Sequence, residues 1–142
     1  MSDERSSSRP IVGHESTLEL EGLGPIVSWR TLVDGDSTPT ERITAGIAEI
    51  DPGAPVDGAL HHHSDPELYY FIQGRGAVHL DGEEHPVEPG SFVYVPGGTP
   101  HFVRNLGPET LKLLYVFAVD RFSQVEYVFP PVNAPGDGRT SG

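Results

Sequence analysis

The stretch HHHSDPELYY, residues 61–70, decides the reading of this chain. Three consecutive histidines look like the remnant of a tag, yet they lie mid-chain, and a glutamate and two tyrosines follow them. In an extended strand alternate side chains share a face. His61 and His63 therefore point one way and His62 the other. Ser64-Asp65-Pro66 then breaks the strand with a turn. Where the chain resumes, Glu67, Tyr69 and Phe71 share a face, and His101 opens another strand further on. Three imidazoles and one carboxylate make a good donor set for a divalent transition metal. A six-coordinate ion held by such a set keeps positions open for water or substrate, which separates a catalytic site from a structural one. A solvated histidine run, with His101 unrelated, is the competing reading on spacing alone.

Outward from this stretch the chain is a succession of short runs with β character. They are IVSWRTLV (26–33), RITAGIAEI (42–50), ELYYFIQ (67–73), GAVHLD (76–81), SFVYV (91–95), HFVRN (101–105), LKLLYVFAV (111–119) and VEYVF (125–129). Gly and Pro punctuate them, and Asp81-Gly82 is a type I′ hairpin signal because both residues tolerate positive φ. No segment carries a long apolar period of helical spacing, and no internal repeat is present. The expectation is an all-β chain with one antiparallel sandwich or barrel. Residues 1–15, rich in Ser and charge, are expected to form a flexible N-terminal arm. Residues 16–130 are the expected β-barrel domain, and the Pro/Gly-rich stretch 131–142 a flexible C-terminal tail.

Composition narrows the function classes. The 142 residues fit one domain, and a chain of about 150 residues buries roughly 68–70% of its unfolded surface without a staple. The absence of cysteine removes thiolate metal sites, thiol nucleophiles and disulfides together. The start, MSDERSSSRP, has no apolar core of a secretory signal. The longest apolar run, Leu113 to Val119, is too short for a membrane span, which needs about 20 residues. A soluble, cytoplasmic protein is expected. The net charge of −12 comes from 21 acidic and 9 scattered basic residues, so neither nucleic acid nor an anionic membrane is an expected partner.

The segment from Gly53 to Asn105 resembles the cupin signature. Its first motif reads roughly G(X)5HXH(X)3–4E(X)6G, and His61, His63, Glu67 and Gly74 match it, with only the leading glycine displaced to Gly53. The second reads G(X)5PXG(X)2H(X)3N, and Gly90, Pro96, Gly98, His101 and Asn105 match at every position. The spacer of 15 residues between Gly74 and Gly90 is similar to that of microbial single-domain cupins. The resemblance implies a jelly-roll-type antiparallel β-barrel, commonly dimeric. It also implies one divalent transition metal per chain on His61, His63, Glu67 and His101, with iron(II) first and manganese, zinc or nickel as alternatives. Asn105 is expected to tie down a turn.

The resemblance leaves the reaction open, because cupins include lyases, isomerases, decarboxylases, dioxygenases and non-catalytic binders. Tyr69, two residues after Glu67, falls on the ligand face, where a cation lowers a phenol's pKa toward that of a general base. The Glu-X-Tyr arrangement resembles that of the small cupin lyases that cleave dimethylsulfoniopropionate, and Tyr127 is placed as a second site tyrosine. Ordinary packing is the competing reading for both. The expected function is a metal-dependent enzyme on a small organic molecule, a lyase or isomerase working by metal-assisted proton abstraction. An iron(II) dioxygenase is one alternative, with Phe71, Val103, Tyr115 and Phe117 lining a pocket or simply packing. A binding protein without turnover is another. The two-sided apolar run LKLLYVFAV suggests a face that meets a second copy in a homodimer.

Overall fold

The computed structural model of the chain describes residues 10–23, 27–36, 38, 40–54, 60–119 and 125–129. Residues 1–9 of the expected arm and the whole of the expected tail lie outside them. The strands among the described residues are β1 (Glu21–Leu23), β2 (Val27–Val33), β3 (Thr44–Ile50), β4 (Glu67–Gln73), β5 (Gly76–Leu80), β6 (Glu83–Val87), β7 (Phe92–Val95), β8 (His101–Asn105) and β9 (Leu111–Phe117). Every strand pairing is antiparallel. Six strands form one sheet in the order β1-β2-β3-β9-β4-β7, and three form a second in the order β6-β5-β8.

This corrects the expectation of a jelly-roll-type β-barrel. The fold is an all-β double sheet, and among the described residues neither sheet closes on itself or on the other. Two isolated bridges stand where a barrel would need a ladder, His61↔His101 and His62↔Val128. The reason lies in the connecting segment. Ser64-Asp65-Pro66 turns the chain away after His63, and proline brings no N–H to extend a ladder. Pro100, directly before β8, limits the partner strand in the same way.

The inner faces of the two sheets share one core. From Glu67 to Ile72 the alternation in β4 is strict: Glu67, Tyr69 and Phe71 are buried while Leu68, Tyr70 and Ile72 are exposed. In β9 Leu111, Leu113, Tyr115 and Phe117 are buried, and Lys112, Leu114 and Val116 are half-buried. Val78 and Val87 complete the cluster from the smaller sheet. Each fully buried side chain of this size stabilises the fold by about 1.5–3 kcal/mol. The second face of β9, read from sequence as a dimer surface, is partly covered by the chain itself. Lys112 Nζ lies 2.9 Å from a carboxylate oxygen of Glu15, in a 3-10 turn over Glu15–Thr17.

Turn chemistry is where sequence and structure meet most closely. Asp81 and Gly82 have φ of 48° and 90°, and Leu80 pairs with Glu83 across them, so the hairpin is the two-residue loop the pair predicts. Its second strand, β6, was not expected, because EEHPV is polar and contains a proline. Among the described residues it is an edge strand paired only with β5, where proline and charge are tolerated. His85 lies in this strand. The 125–129 segment, expected as a strand, makes a single bridge at Val128, while Val125 packs into the core.

Asn105, at the end of β8, knits three segments together. Its amide donates to the carbonyls of Ile50 and Glu109, both at 2.9 Å, and its oxygen accepts from Gly107 N–H at 2.9 Å. Leaving such groups unpaired costs about 1–3 kcal/mol. Asn105→Ala should therefore lower the unfolding free energy by about that amount in urea titrations. An unchanged midpoint would show that water replaces these bonds without cost.

Candidate metal centre

The site lies between β4, β8 and the short 61–63 segment. His61, His63 and His101 each bring a ring nitrogen into one group in which these atoms lie within 4.8 Å of one another. The bridge between His61 and His101 aligns two of them, with N–H···O bonds of 3.1 and 2.8 Å in the two directions. Glu67, the first residue of β4, places Oε1 at 3.4 Å from Nε2 of both His63 and His101. His63 and His101 are 2% and 0% exposed, whereas His61 is half-buried and marks the open side.

The orientation of the rings follows from their other nitrogens. Nδ1 of His63 lies 2.7 Å from the Asp65 carbonyl, and Nδ1 of His101 lies 2.7 Å from the Thr99 carbonyl. A carbonyl oxygen only accepts, so in each neutral ring Nδ1 donates and Nε2 carries the lone pair. Among the described residues, neither Nε2 atom nor Glu67 Oε1, all buried, has a hydrogen-bond partner. Three acceptors thus converge with no donor between them, an arrangement that a cation relieves. The donor set, imidazole nitrogen plus carboxylate oxygen, suits a divalent transition metal, and carbonyl-anchored Nδ1 atoms are the usual support of such ligands.

The titration behaviour reflects the same crowding. Burial pulls the His63 pKa down, but the Glu67 carboxylate 3.4 Å from its Nε2, the Asp65 carbonyl and the nearby negative charges outweigh it and leave it above 6.5. Burial pushes Glu67 up, and the imidazoles of His101 and His63, each with Nε2 at 3.4 Å, outweigh that and leave it below the ordinary carboxylate value. Tyr69 is buried beside Glu67. Burial first, then the charges of Glu67 and Tyr127 and a hydrogen bond to Glu67, hold its phenol well above 10. The Tyr127 ring lies 5.0 Å from that of His61 and 5.2 Å from that of His63, and its phenol is also raised, chiefly by burial.

The structure thus gathers all six residues singled out from sequence: His61, His63, Glu67, His101, Tyr69 and Tyr127. His62 lies outside the cluster, with its backbone paired to Val128. His79 stacks on Phe102, and His85 lies 3.7 Å from Glu83. Arg104 is taken by Glu84, and Arg30 by Glu49 and the Leu18 carbonyl. Of the expected pocket residues, Phe71 and Tyr115 belong to the core, while Phe117 also packs on His63 at 5.3 Å. The orienting carbonyls of Asp65 and Thr99 were missed. Both precede a proline, Pro66 and Pro100, and a residue before proline is held extended. That was the available signal. Gly97 adds a steric one: a Cβ there would collide with the Ser64 carbonyl, so the loop before His101 packs directly on the turn after His63.

The family described as "Cupin domain" matches residues 46–117, just over half of the chain. The chain belongs to the cupin family. A dimethylsulfoniopropionate lyase from Ruegeria pomeroyi is 38% identical over 103 residues, 72% of this cupin and 66% of that protein. An oxalate-binding protein from Thermotoga maritima is 31% identical over 68 residues, 48% of this cupin and 55% of that one. The chain therefore spans less than two thirds of the length of either relative. Among solved structures, the polyketide cyclase from Streptomyces resistomycificus shares the fold at a TM-score of 0.72 and 20% identity, over 88% of both chains. No helix of the described residues is long and apolar enough to cross a membrane.

Metal addition should raise the melting temperature of the metal-free cupin, because binding relieves the converging acceptors. At a hundredfold excess over Kd the gain is about 2.7 kcal/mol. His101→Ala should lose that gain and most of the bound metal in elemental analysis. Stoichiometric metal in this variant would contradict the centre.

Proposed function

We propose that this cupin is a metal-dependent lyase that removes a β-leaving group from a small carboxylate, with dimethylsulfoniopropionate as its first candidate substrate. The similarity over 72% of the chain to a lyase of that substrate carries the reading. The placement of a buried tyrosine directly beside Glu67 supports it. His61, His63, Glu67 and His101 are the proposed ligands, and iron(II) is the proposed ion, with manganese, zinc and nickel suited to the same donors.

When bound, the ion supplies positive charge that acidifies the α-hydrogen of a carboxylate substrate and draws the raised Tyr69 phenol down toward a working pKa. Tyr69 is the base. Its phenolate takes the α-proton, the freed electron pair forms the carbon–carbon double bond, and the β-carbon–sulfur bond breaks with its electron pair leaving on sulfur. From dimethylsulfoniopropionate the products are acrylate, dimethyl sulfide and the proton now on Tyr69, so atoms and charge balance without an oxidant. The burial that raises the phenol also keeps bulk water from the proton it holds. Tyr127 faces the imidazoles from the 125–129 segment and is the proposed second site tyrosine.

The iron(II)-loaded protein should release dimethyl sulfide from dimethylsulfoniopropionate at equal rates in air and without oxygen. Tyr69→Phe should cut kcat by about 10²–10⁴-fold with its metal content intact. Full activity in that variant would remove Tyr69 as base. A requirement for oxygen would instead make the cupin a dioxygenase.

A further inference from the structure

We propose that Tyr127 and Phe129 form a subsite at the open side of the metal cluster. It takes an onium group, a sulfonium or quaternary ammonium cation joined by a short spacer to a carboxylate. The proposal rests on the lyase reading for the placement of the carboxylate at the cluster.

Of the three clustered histidines, only His61 is not fully buried, so a substrate enters on its side. Tyr127 and Phe129 stand there. Their rings lie 5.0 and 5.7 Å from that of His61, and they stack on each other at 6.4 Å and 20°. Val128 between them exchanges both backbone hydrogen bonds with His62, at 2.9 and 2.7 Å. That bridge fixes the extended segment and sends both rings to one side, forming a short aromatic row from the imidazoles toward solvent. Phe129 remains 54% exposed. Core packing therefore explains little of its position, and the ring offers a face to an incoming group.

The chemistry suits a permanent cation. A cation within about 6 Å of an aromatic centroid is attracted by the ring face, and an aliphatic wall gives no such attraction. A carboxylate placed to hold the onium would also repel the carboxylate end of the same substrate. Aromatic faces avoid that conflict, because they carry no net charge. Elimination leaves the sulfur neutral, so the attraction fades as the product forms and the leaving group departs easily. The subsite accordingly acts on substrate binding more than on the chemical step.

The test is calorimetry on the full-length, zinc-loaded protein with two probes of one shape. One is β-trimethylammoniopropionate. The other is its neutral isostere, with carbon in place of the nitrogen. The cationic probe should bind roughly three- to thirtyfold more tightly. Phe129→Leu and Tyr127→Leu should each shrink that ratio toward one, and Tyr127→Phe, which keeps the ring face, should retain it. Equal affinities in the unaltered protein, no binding of either probe, or a ratio that survives both leucine variants would overturn the subsite. Turnover is scored separately. A cation preference without dimethyl sulfide release would keep the subsite and sink the lyase, and release without a preference would do the reverse.

Discussion

Three buried acceptors that point at one another organise this molecule. Nε2 of His63, Nε2 of His101 and Oε1 of Glu67 converge within 3.4 Å contacts, and none has a hydrogen-bond donor among the described residues. Each such orphan costs about 1–3 kcal/mol if nothing satisfies it. A fold keeps an arrangement of this kind only where something supplies positive charge. The remaining features of the centre serve to hold those atoms in place until it does.

The holding devices are ordinary pieces of β structure. Strict alternation in β4 puts Glu67 and Tyr69 on the inner face and sends Leu68 and Tyr70 outward. Pairing of Glu67 with Phe117 and of Tyr69 with Tyr115 backs both residues with β9, the strand at the middle of the larger sheet. Two X-Pro steps fix the carbonyls that orient His63 and His101. A single bridge between His61 and His101 replaces a ladder, so the two sheets meet at the metal centre without closing around it. That gap leaves His61 accessible and gives Tyr127 and Phe129 room beside it.

Most of this was legible in the chain, for identifiable reasons. Metal chemistry needs particular side chains at particular spacings, so the His-X-His, Glu and later His stood out. Period-two alternation marked the faces of β4, whereas the run of β9 is apolar on both sides and left its faces open, and Asp81-Gly82 marked its hairpin because few residue pairs tolerate two positive φ angles. Closure was not legible. Whether sheets join into a barrel depends on hydrogen bonds between segments distant in sequence, and a local pattern of strands and turns is the same for an open double sheet. β6 escaped notice because an edge strand is free to be polar. The orienting carbonyls escaped because every residue has one, and only the following prolines set Asp65 and Thr99 apart. The role of Phe129 depends on a bridge at Val128 that no spacing rule predicts.

The most direct measurement is X-ray absorption at the metal edge of the iron(II)- or zinc-loaded full-length protein. A centre on His61, His63, Glu67 and His101 predicts a shell of nitrogen and oxygen only, at about 2.0–2.2 Å, with the outer-shell scattering of three imidazole rings. A spectrum with no imidazole scattering, or that of a single ring, would place the metal elsewhere and contradict the account.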